Sequence, residues 1–178
     1  PIAMPDGSVI LVEIEAQRLT RVSTSGTKST IAKMPGGPNG AALGPDGHVY
    51  VCNNGGFEWH DDPVHGLRVI GQADDYSGGR IERVDLTSGR IETIYTHCDG
   101  HPLRGPNDLV FDAHGGFYFT DLGKARARDL DRGGVYYAKA DGSLVREIAY
   151  PTFMANGCAL SPDGNTLYFA ETESARLW

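Results

Sequence analysis

The sequence contains few cysteines and no paired cysteine motif. Its 178 residues include only Cys52, Cys98 and Cys158, with no Cys-x-x-Cys spacing. This odd, widely spaced set argues against a disulfide framework and against a zinc knuckle. It favours a reducing compartment, and we expect a cytoplasmic protein. Cys158 falls in an apolar segment, where we expect a thiol to serve as a small buried filler.

The sequence also has no long apolar run, no excess of basic over acidic residues and no signal of a helix. No segment approaches the roughly 18 apolar residues that span a bilayer. The formal net charge of −7 argues against nucleic acid and anionic membranes as partners. No Gly-rich phosphate loop precedes a helix, so nucleotide chemistry is not expected. No Ser or Cys nucleophile with a phased His stands out. No secretory leader is visible, but residue 1 lies inside a repeat, so we expect the true N-terminus to lie before it.

The chain is instead rich in turn residues placed at regular positions. Three stretches share one design: an Asn before a small or apolar strand, a Gly-containing turn, and a second strand that carries a Tyr. They are residues 37–53, 105–121 and 154–171. The offset from Asn to Tyr is 11, 11 and 12 residues (39 to 50, 107 to 118, 156 to 168). A fourth copy opens the chain without its beginning. A unit repeated in this way buries its apolar faces against neighbouring copies.

A second pair of alternating segments follows each copy, so each unit is predicted to hold four antiparallel strands. Units of this size and composition are typical of β-propeller blades. We therefore predict an all-β protein in which residues 1–178 form part of a single β-propeller domain. The predicted blades are approximately 1–37, 38–104, 106–155 and an incomplete 156–178. Propellers close with about 4–8 blades, so about three and a half blades predict a piece of a longer protein.

Two long connections interrupt the repeat between the second and third strands of a blade. Residues 55–78 form an insertion in the second blade, interpreted as a polar loop that serves as a lid or binding wall. Its His60, Asp61, Asp62 and His65 suggest a metal site, but a solvated polar loop is the favoured interpretation. Residues 123–133, rich in Arg and Asp, are expected to form a charged rim that contacts an acidic or hydroxylated ligand.

Three asparagines occupy the start of the first strand in successive blades. Because that strand lines the channel of a propeller, Asn39, Asn107 and Asn156 are predicted to point into one ring at the channel mouth. The alternative is that each Asn only shapes a turn. A ring of amide oxygens suits a hard cation such as Ca²⁺ once a carboxylate is added. Asp108 is expected to face away from the channel, as a hydrogen-bonding residue behind the site.

A second set of polar residues ends the second strand of each blade: Glu13, Asn53, Asp121 and Glu171. Each follows the Tyr position by three residues. Such a residue can support metal ligands from behind, act as a general base, or simply cap loop amides. Asp121 is the one weak candidate for a catalytic base within this chain.

The blocks at 105–121, 133–137 and 155–172, together with 37–56, resemble the regucalcin/gluconolactonase/luciferin-regenerating-enzyme family, and within it the drug-responsive lactonases. The resemblance implies a six-bladed propeller with one divalent cation at the channel mouth, most often Ca²⁺, with Zn²⁺ or Mg²⁺ as alternatives. It implies Asn156 as a metal ligand, Asn107 as a contact of metal or substrate, and Asn39 as a substrate contact. A Glu ligand two residues before Pro1 and an Asp ligand and base beyond Trp178 are implied as well.

The leading hypothesis is therefore a metal-dependent hydrolase of lactones, with a small-molecule substrate and neither nucleic acid nor membrane as partner. Two alternatives stay open. One is a non-catalytic propeller that binds a partner at its mouth, because one fold hosts many functions. The other is a family relative that works without a metal.

Overall fold

Successive antiparallel sheets make up the structure, a computed structural model that describes residues 1–178. The first sheet holds β1 (Ile2–Ala3), β2 (Val9–Glu13), β3 (Arg18–Val22) and β4 (Lys28–Lys33). The second holds β5 (Pro38–Leu43), β6 (Val49–Asn53), β9 (Arg80–Val84) and β10 (Ile91–Tyr95). The third holds β13 (Pro106–Phe111), β14 (Gly116–Asp121), β15 (Gly133–Lys139) and β16 (Val145–Thr152). The fourth holds β17 (Ala155–Leu160), β18 (Leu167–Glu171) and β19 (Arg176–Leu177).

Each sheet follows the chain order, strand next to strand, and the inner strands meet in succession. β1 contacts β5, β5 contacts β13, and β13 contacts β17. The chain contains no helix, and therefore no helix that is long and apolar enough to cross a membrane. The predicted all-β fold of four-stranded antiparallel blades is confirmed. The blade limits given above stay predictions, because the strands of a sheet do not define where the loops between two blades are divided.

The insertion in the second sheet is a β-hairpin, so its interpretation as a polar loop without strands of its own needs correction. β7 (Phe57–Asp62) pairs with β8 (Gly66–Gln72). The turn between them is closed by Asp62, whose Oδ1 accepts the backbone N–H groups of Val64 and His65 at 2.9 and 2.8 Å. Gly66 follows with a φ of 72°, a conformation that favours glycine. A further small hairpin joins β11 (His97–Cys98) to β12 (His101–Pro102) between the second and third sheets.

Apolar side chains fill the spaces between adjacent sheets. One cluster joins the first and second sheets around Ile10, Leu19 and Val51. The other joins the second and third around Tyr50 and Phe117. Of the three free cysteines, Cys52 and Cys98 are buried but Cys158 is only partly so. Cys158 is therefore not the fully buried filler that was expected, although burial still raises its thiol pKa to about 12.

Candidate functional site

A β-bulge marks the position of the predicted asparagine in three successive inner strands. The pairs Pro38↔Asn53, Pro106↔Asp121 and Ala155↔Glu171 are equivalent in register. The next aligned pair lies three residues further along the inner strand but only two residues back along its partner. Each inner strand therefore carries one extra residue within a two-residue stretch that begins with Asn39, Asn107 or Asn156. Bulges re-aim side chains and are common beside functional sites.

The three asparagines line one cleft, which we call the mouth cleft. It has a volume of about 450 Å³. The insertion hairpin contributes Phe57, Val69, Ile70 and Gly71 to its wall, and the remaining lining residues are Leu122, Gly123, Ala125 and Met154. The structure therefore sets a polar amide floor against an apolar wall.

The side-chain amides of the floor are largely free of partners within the chain. Asn107 is only 7% exposed and makes no side-chain hydrogen bond. Asn39 also makes none, while Asn156 donates from Nδ2 to Thr172 Oγ1 at 3.2 Å and keeps its Oδ1 free. Because Asn107 lines the cleft and its amide has no partner within the chain, that amide is available to a ligand that enters the cleft.

Behind the floor, a hydrogen-bond network fixes the spacing of the inner strands. Asp108 Oδ2 accepts the N–H of Cys158 from the next sheet at 3.0 Å. The Oγ1 of buried Thr120 accepts the N–H of Asp108 at 3.2 Å and donates to the carbonyl oxygen of Asn156. Asp108 thus has the hydrogen-bonding position expected of it. Sequence reasoning missed Thr120, because a threonine inside a strand gives no signal of a hydroxyl that reaches another sheet.

The residues that end the second strands act as caps for backbone amides. Asp121 is buried and accepts the N–H groups of Arg104, Gly105 and Gly123 at 2.7, 2.7 and 2.8 Å. Asn53 accepts from Gly37 at 2.8 Å, and Glu171 accepts from Phe153 at 2.7 Å. In each case a donor lies just before the inner strand of the same sheet, so the cap fixes where that strand begins.

Glu13, at the equivalent position in the first sheet, binds side chains instead. It accepts from Arg18 Nε and Nη2, each at 2.9 Å, and from Thr20 Oγ1 at 2.5 Å. Burial raises the pKa of Asp121 even though its amide partners oppose that shift. Because those amides occupy both of its oxygens, Asp121 is not presented to the cleft as a free base, and its catalytic role stays a prediction.

The charged loop between β14 and β15 is largely paired within itself. Arg126 binds Asp129 at 2.5 Å and Asp131 at 2.8 Å. The loop also contacts the insertion hairpin, since the N–H of Gln72 donates to the carbonyl oxygen of Ala125 at 3.1 Å. One member, Lys124, leaves the rim and is buried. Sequence reasoning did not single it out, because lysine is almost always a surface residue.

No group of three or more His, Cys, Asp or Glu side chains is gathered to hold a metal. His60 and Asp61 are exposed on the insertion hairpin, and His65 binds Asp62 at 3.1 Å near its tip. The asparagine floor has the donor chemistry of a hard-cation site, namely uncharged amide oxygens. The free Oδ1 of Asn156 and the unpartnered amide of Asn107 fit part of such a ligand set, and a carboxylate is still needed to complete it.

The successive antiparallel sheets are blades of a β-propeller fold, and three of their inner strands bring an asparagine each to one cleft. The chain belongs to the family described as SMP-30/Gluconolactonase/LRE-like region, whose model matches residues 1–178. This confirms the resemblance found in the sequence.

A curated relative agrees with this assignment, and solved structures share the fold. The lactonase drp35 of Staphylococcus saprophyticus is 31% identical over 173 residues, which cover 96% of this chain and 47% of the relative. A gluconolactonase structure from Xanthomonas campestris has a TM-score of 0.73 at 22% identity, over 97% of this chain and 53% of its own. Virginiamycin B lyase from Staphylococcus aureus has a TM-score of 0.64 at 17% identity, over 99% and 53%. These two structures show the fold alone, and the chain spans about half the length of the curated relatives it matches.

Proposed function

We propose that the protein containing this chain is a lactone hydrolase that uses a divalent cation, most often Ca²⁺, bound at the mouth cleft. The observation that carries the proposal is the convergence of three bulged asparagines on one cleft in a chain whose relatives include the drp35 lactonases. A bound cation would polarise the lactone carbonyl and lower the pKa of a water molecule.

The residues of this chain would bind and orient. Asn156 would offer its free Oδ1 to the cation, and the Asn107 amide would bind either the cation or the ring ester. Asn39, one blade earlier, would contact the substrate. The apolar wall formed by Phe57, Val69 and Ile70 would exclude bulk water, which strengthens electrostatic interactions within a site.

The proton acceptor is proposed to lie outside residues 1–178. Both carboxylates near the floor are engaged by backbone amides, Asp108 by Cys158 and Asp121 by three loop donors. A base must reach the proton that it removes, and neither Asp108 nor Asp121 is among the residues that line the mouth cleft. The missing carboxylate ligands are likewise proposed to lie in the flanking sequence, as the family resemblance implies.

The proposal is tested on the full-length protein with Asn156→Ala and, as a matched control, the exposed turn variant Asn165→Ala. Two quantities are measured. Calorimetric titration with calcium gives the cation affinity, and the release of acid from a panel of lactones gives the rate of hydrolysis. Removing one oxygen ligand from a hard-cation site is expected to weaken both cation affinity and rate, and the control is expected to change neither.

Three results would contradict parts of the proposal. Equal cation affinity in Asn156→Ala and wild type would refute the ligand assignment. Lactone hydrolysis that survives complete removal of metal would identify a metal-independent relative. Tight cation binding without hydrolysis of any lactone would identify a non-catalytic binding module.

A further inference from the structure

Lys124 is a buried lysine without a carboxylate in contact. Its residue is only 1% exposed, and its Nζ donates to Asn54 Oδ1 at 3.0 Å and to the carbonyl oxygen of Gly56 at 2.8 Å. Both acceptors are neutral. Burying an ammonium group without an ionic partner is unfavourable, so the position requires an explanation beyond surface charge.

The same ammonium group contacts aromatic rings on both sides of the insertion hairpin. Nζ lies 4.0 Å from the ring centroid of Phe57, the first residue of β7, and 5.3 Å from that of Tyr76, just after β8. Such contacts are attractive because the ring face is electron-rich, and they strengthen when desolvated. Lys124 therefore holds both chain ends of the hairpin from the loop of the neighbouring sheet.

We infer that Lys124 is a positioning residue that clamps the base of the insertion hairpin and so places the Phe57 wall of the mouth cleft against the asparagine floor. The inference rests on the proposed function for its effect on substrate, but the clamp itself is a property of the fold. Phe57 belongs both to the Lys124 contact and to the cleft lining, which links the clamp to the site in one step.

The charges around Lys124 do not compensate for its burial. Asp121 faces it, but its oxygens are taken by backbone amides, and Asp131 is paired with Arg126. Tyr76 stays neutral because burial raises its pKa. Burial consequently lowers the pKa of Lys124 from 10.5 to about 7, against the opposing effect of the two aspartates.

This gives the clamp a pH dependence of known sign. A lysine released by opening of the hairpin regains its ordinary pKa, so between pH 7 and 10.5 the closed form binds fewer protons than the open form. Closure therefore strengthens as pH rises from 7 towards 10.5, by up to about tenfold per pH unit. The neutral amine can still donate to Asn54 and Gly56 and avoids the cost of burying a charge. Below pH 7 closure is independent of pH.

A substitution at Asn54 tests the same contact by strengthening it, whereas a substitution at Lys124 removes it. Its Oδ1 accepts from Lys124 and from the N–H of Gly56, while its Nδ2 is buried without a partner. Asn54→Asp would keep both accepted bonds, remove the unpartnered donor and give Lys124 a counter-ion. It is expected to raise the pKa of Lys124 and to keep the hairpin closed at neutral pH.

The clamp is tested by amide hydrogen exchange of residues 57–72 in the full-length protein between pH 6.5 and 9. The quantity compared is the protection factor, which corrects each rate for the intrinsic pH dependence of exchange. We expect wild type and the control Lys33→Met, exposed on β4, to gain protection with rising pH. Lys124→Met should show no such gain, and Asn54→Asp should be protected already at pH 7. A flat wild-type profile, or a wild-type slope in Lys124→Met, would overturn the clamp. If Lys124→Met does not fold, the Asn54→Asp variant decides the question, and a protection profile identical to that of wild type would overturn the clamp.

Steady-state kinetics decide the link to substrate. In wild type the KM for lactones is expected to fall as pH rises above 7 without a parallel change in kcat, and this KM trend should disappear in Lys124→Met. A KM trend that persists in Lys124→Met would overturn the positioning role. If no lactone is hydrolysed by wild type, the proposed function fails while the exchange experiment still decides the clamp.

Discussion

The hydroxyl of Thr120 donates a hydrogen bond to the carbonyl oxygen of Asn156, which lies in the next sheet. Because the same Oγ1 accepts the N–H of Asp108, one side chain sets the distance between two inner strands that carry floor asparagines. The floor of the mouth cleft is thus held from behind by a residue that does not line it.

Thr120→Val keeps the shape of the side chain and removes this link. Leaving the Asn156 carbonyl and the Asp108 N–H without their partner is expected to destabilise the fold by about 1–3 kcal/mol. Urea unfolding with an unchanged m-value measures the loss. Thr120→Ser keeps the hydroxyl and should lose less, so equal stability of the two variants would refute the role of the hydrogen bond.

Replacing the hairpin Phe57–Gln72 by a short Gly/Ser link should change which lactones are accepted and leave the fold nearly intact. β6 pairs directly with β9, and changing loop length alters closure free energy by only about 1 kcal/mol. Thermal unfolding and a lactone panel on the full-length protein test this. An unchanged substrate profile would show that the hairpin is not a wall of the site.

Asp121→Asn should lower stability by about 1–3 kcal/mol, because an amide NH₂ would then face at least one of the three backbone donors. Asp163→Asn, at an exposed turn, is the control. Activity per folded molecule should be retained if Asp121 is only a cap. A variant of full stability that had lost kcat would instead support a general base.

Glu13→Gln tests a pH-dependent contact in the first sheet. Hydrogen bonds from Arg18, and next from Thr20, lower the pKa of Glu13 from 4.5 to about 2. Its contribution to stability is therefore present above pH 4.5 and is lost as pH falls towards 2. The Tm difference between wild type and Glu13→Gln should shrink across that range, and a constant difference would contradict the assignment.

The repeat pattern was sufficient to predict the sheets, since alternation and phased turns are local signals. It also placed Asn39, Asn107 and Asn156 on one cleft, because equivalent positions of a repeat face the same way. The register shift that re-aims them was not visible, because a bulge depends on how two strands pair. The insertion hairpin was missed because its strands show only a short alternation of apolar and polar residues. The charged turn and the many polar residues around it favoured the interpretation as a loop.

The roles of Asp121 and Lys124 depended on contacts far away in sequence. Asp121 caps amides of residues 104 and 105, which only the folded chain brings to it. Lys124 is buried by Asn54 and Phe57, from a different sheet. No pattern around either residue carries that information.

The insertion leaves and re-enters its sheet at two residues that face each other in the β6–β9 register, Asn53 and Arg80. The hairpin between them can therefore change in length without shifting the pairing of β6 with β9. The hairpin wall of the cleft can therefore vary without changing the sheet, whereas the floor asparagines lie on inner strands of the sheets themselves. Descendants of one ancestor can therefore diversify the wall by swapping a single surface segment while the floor stays under separate constraint.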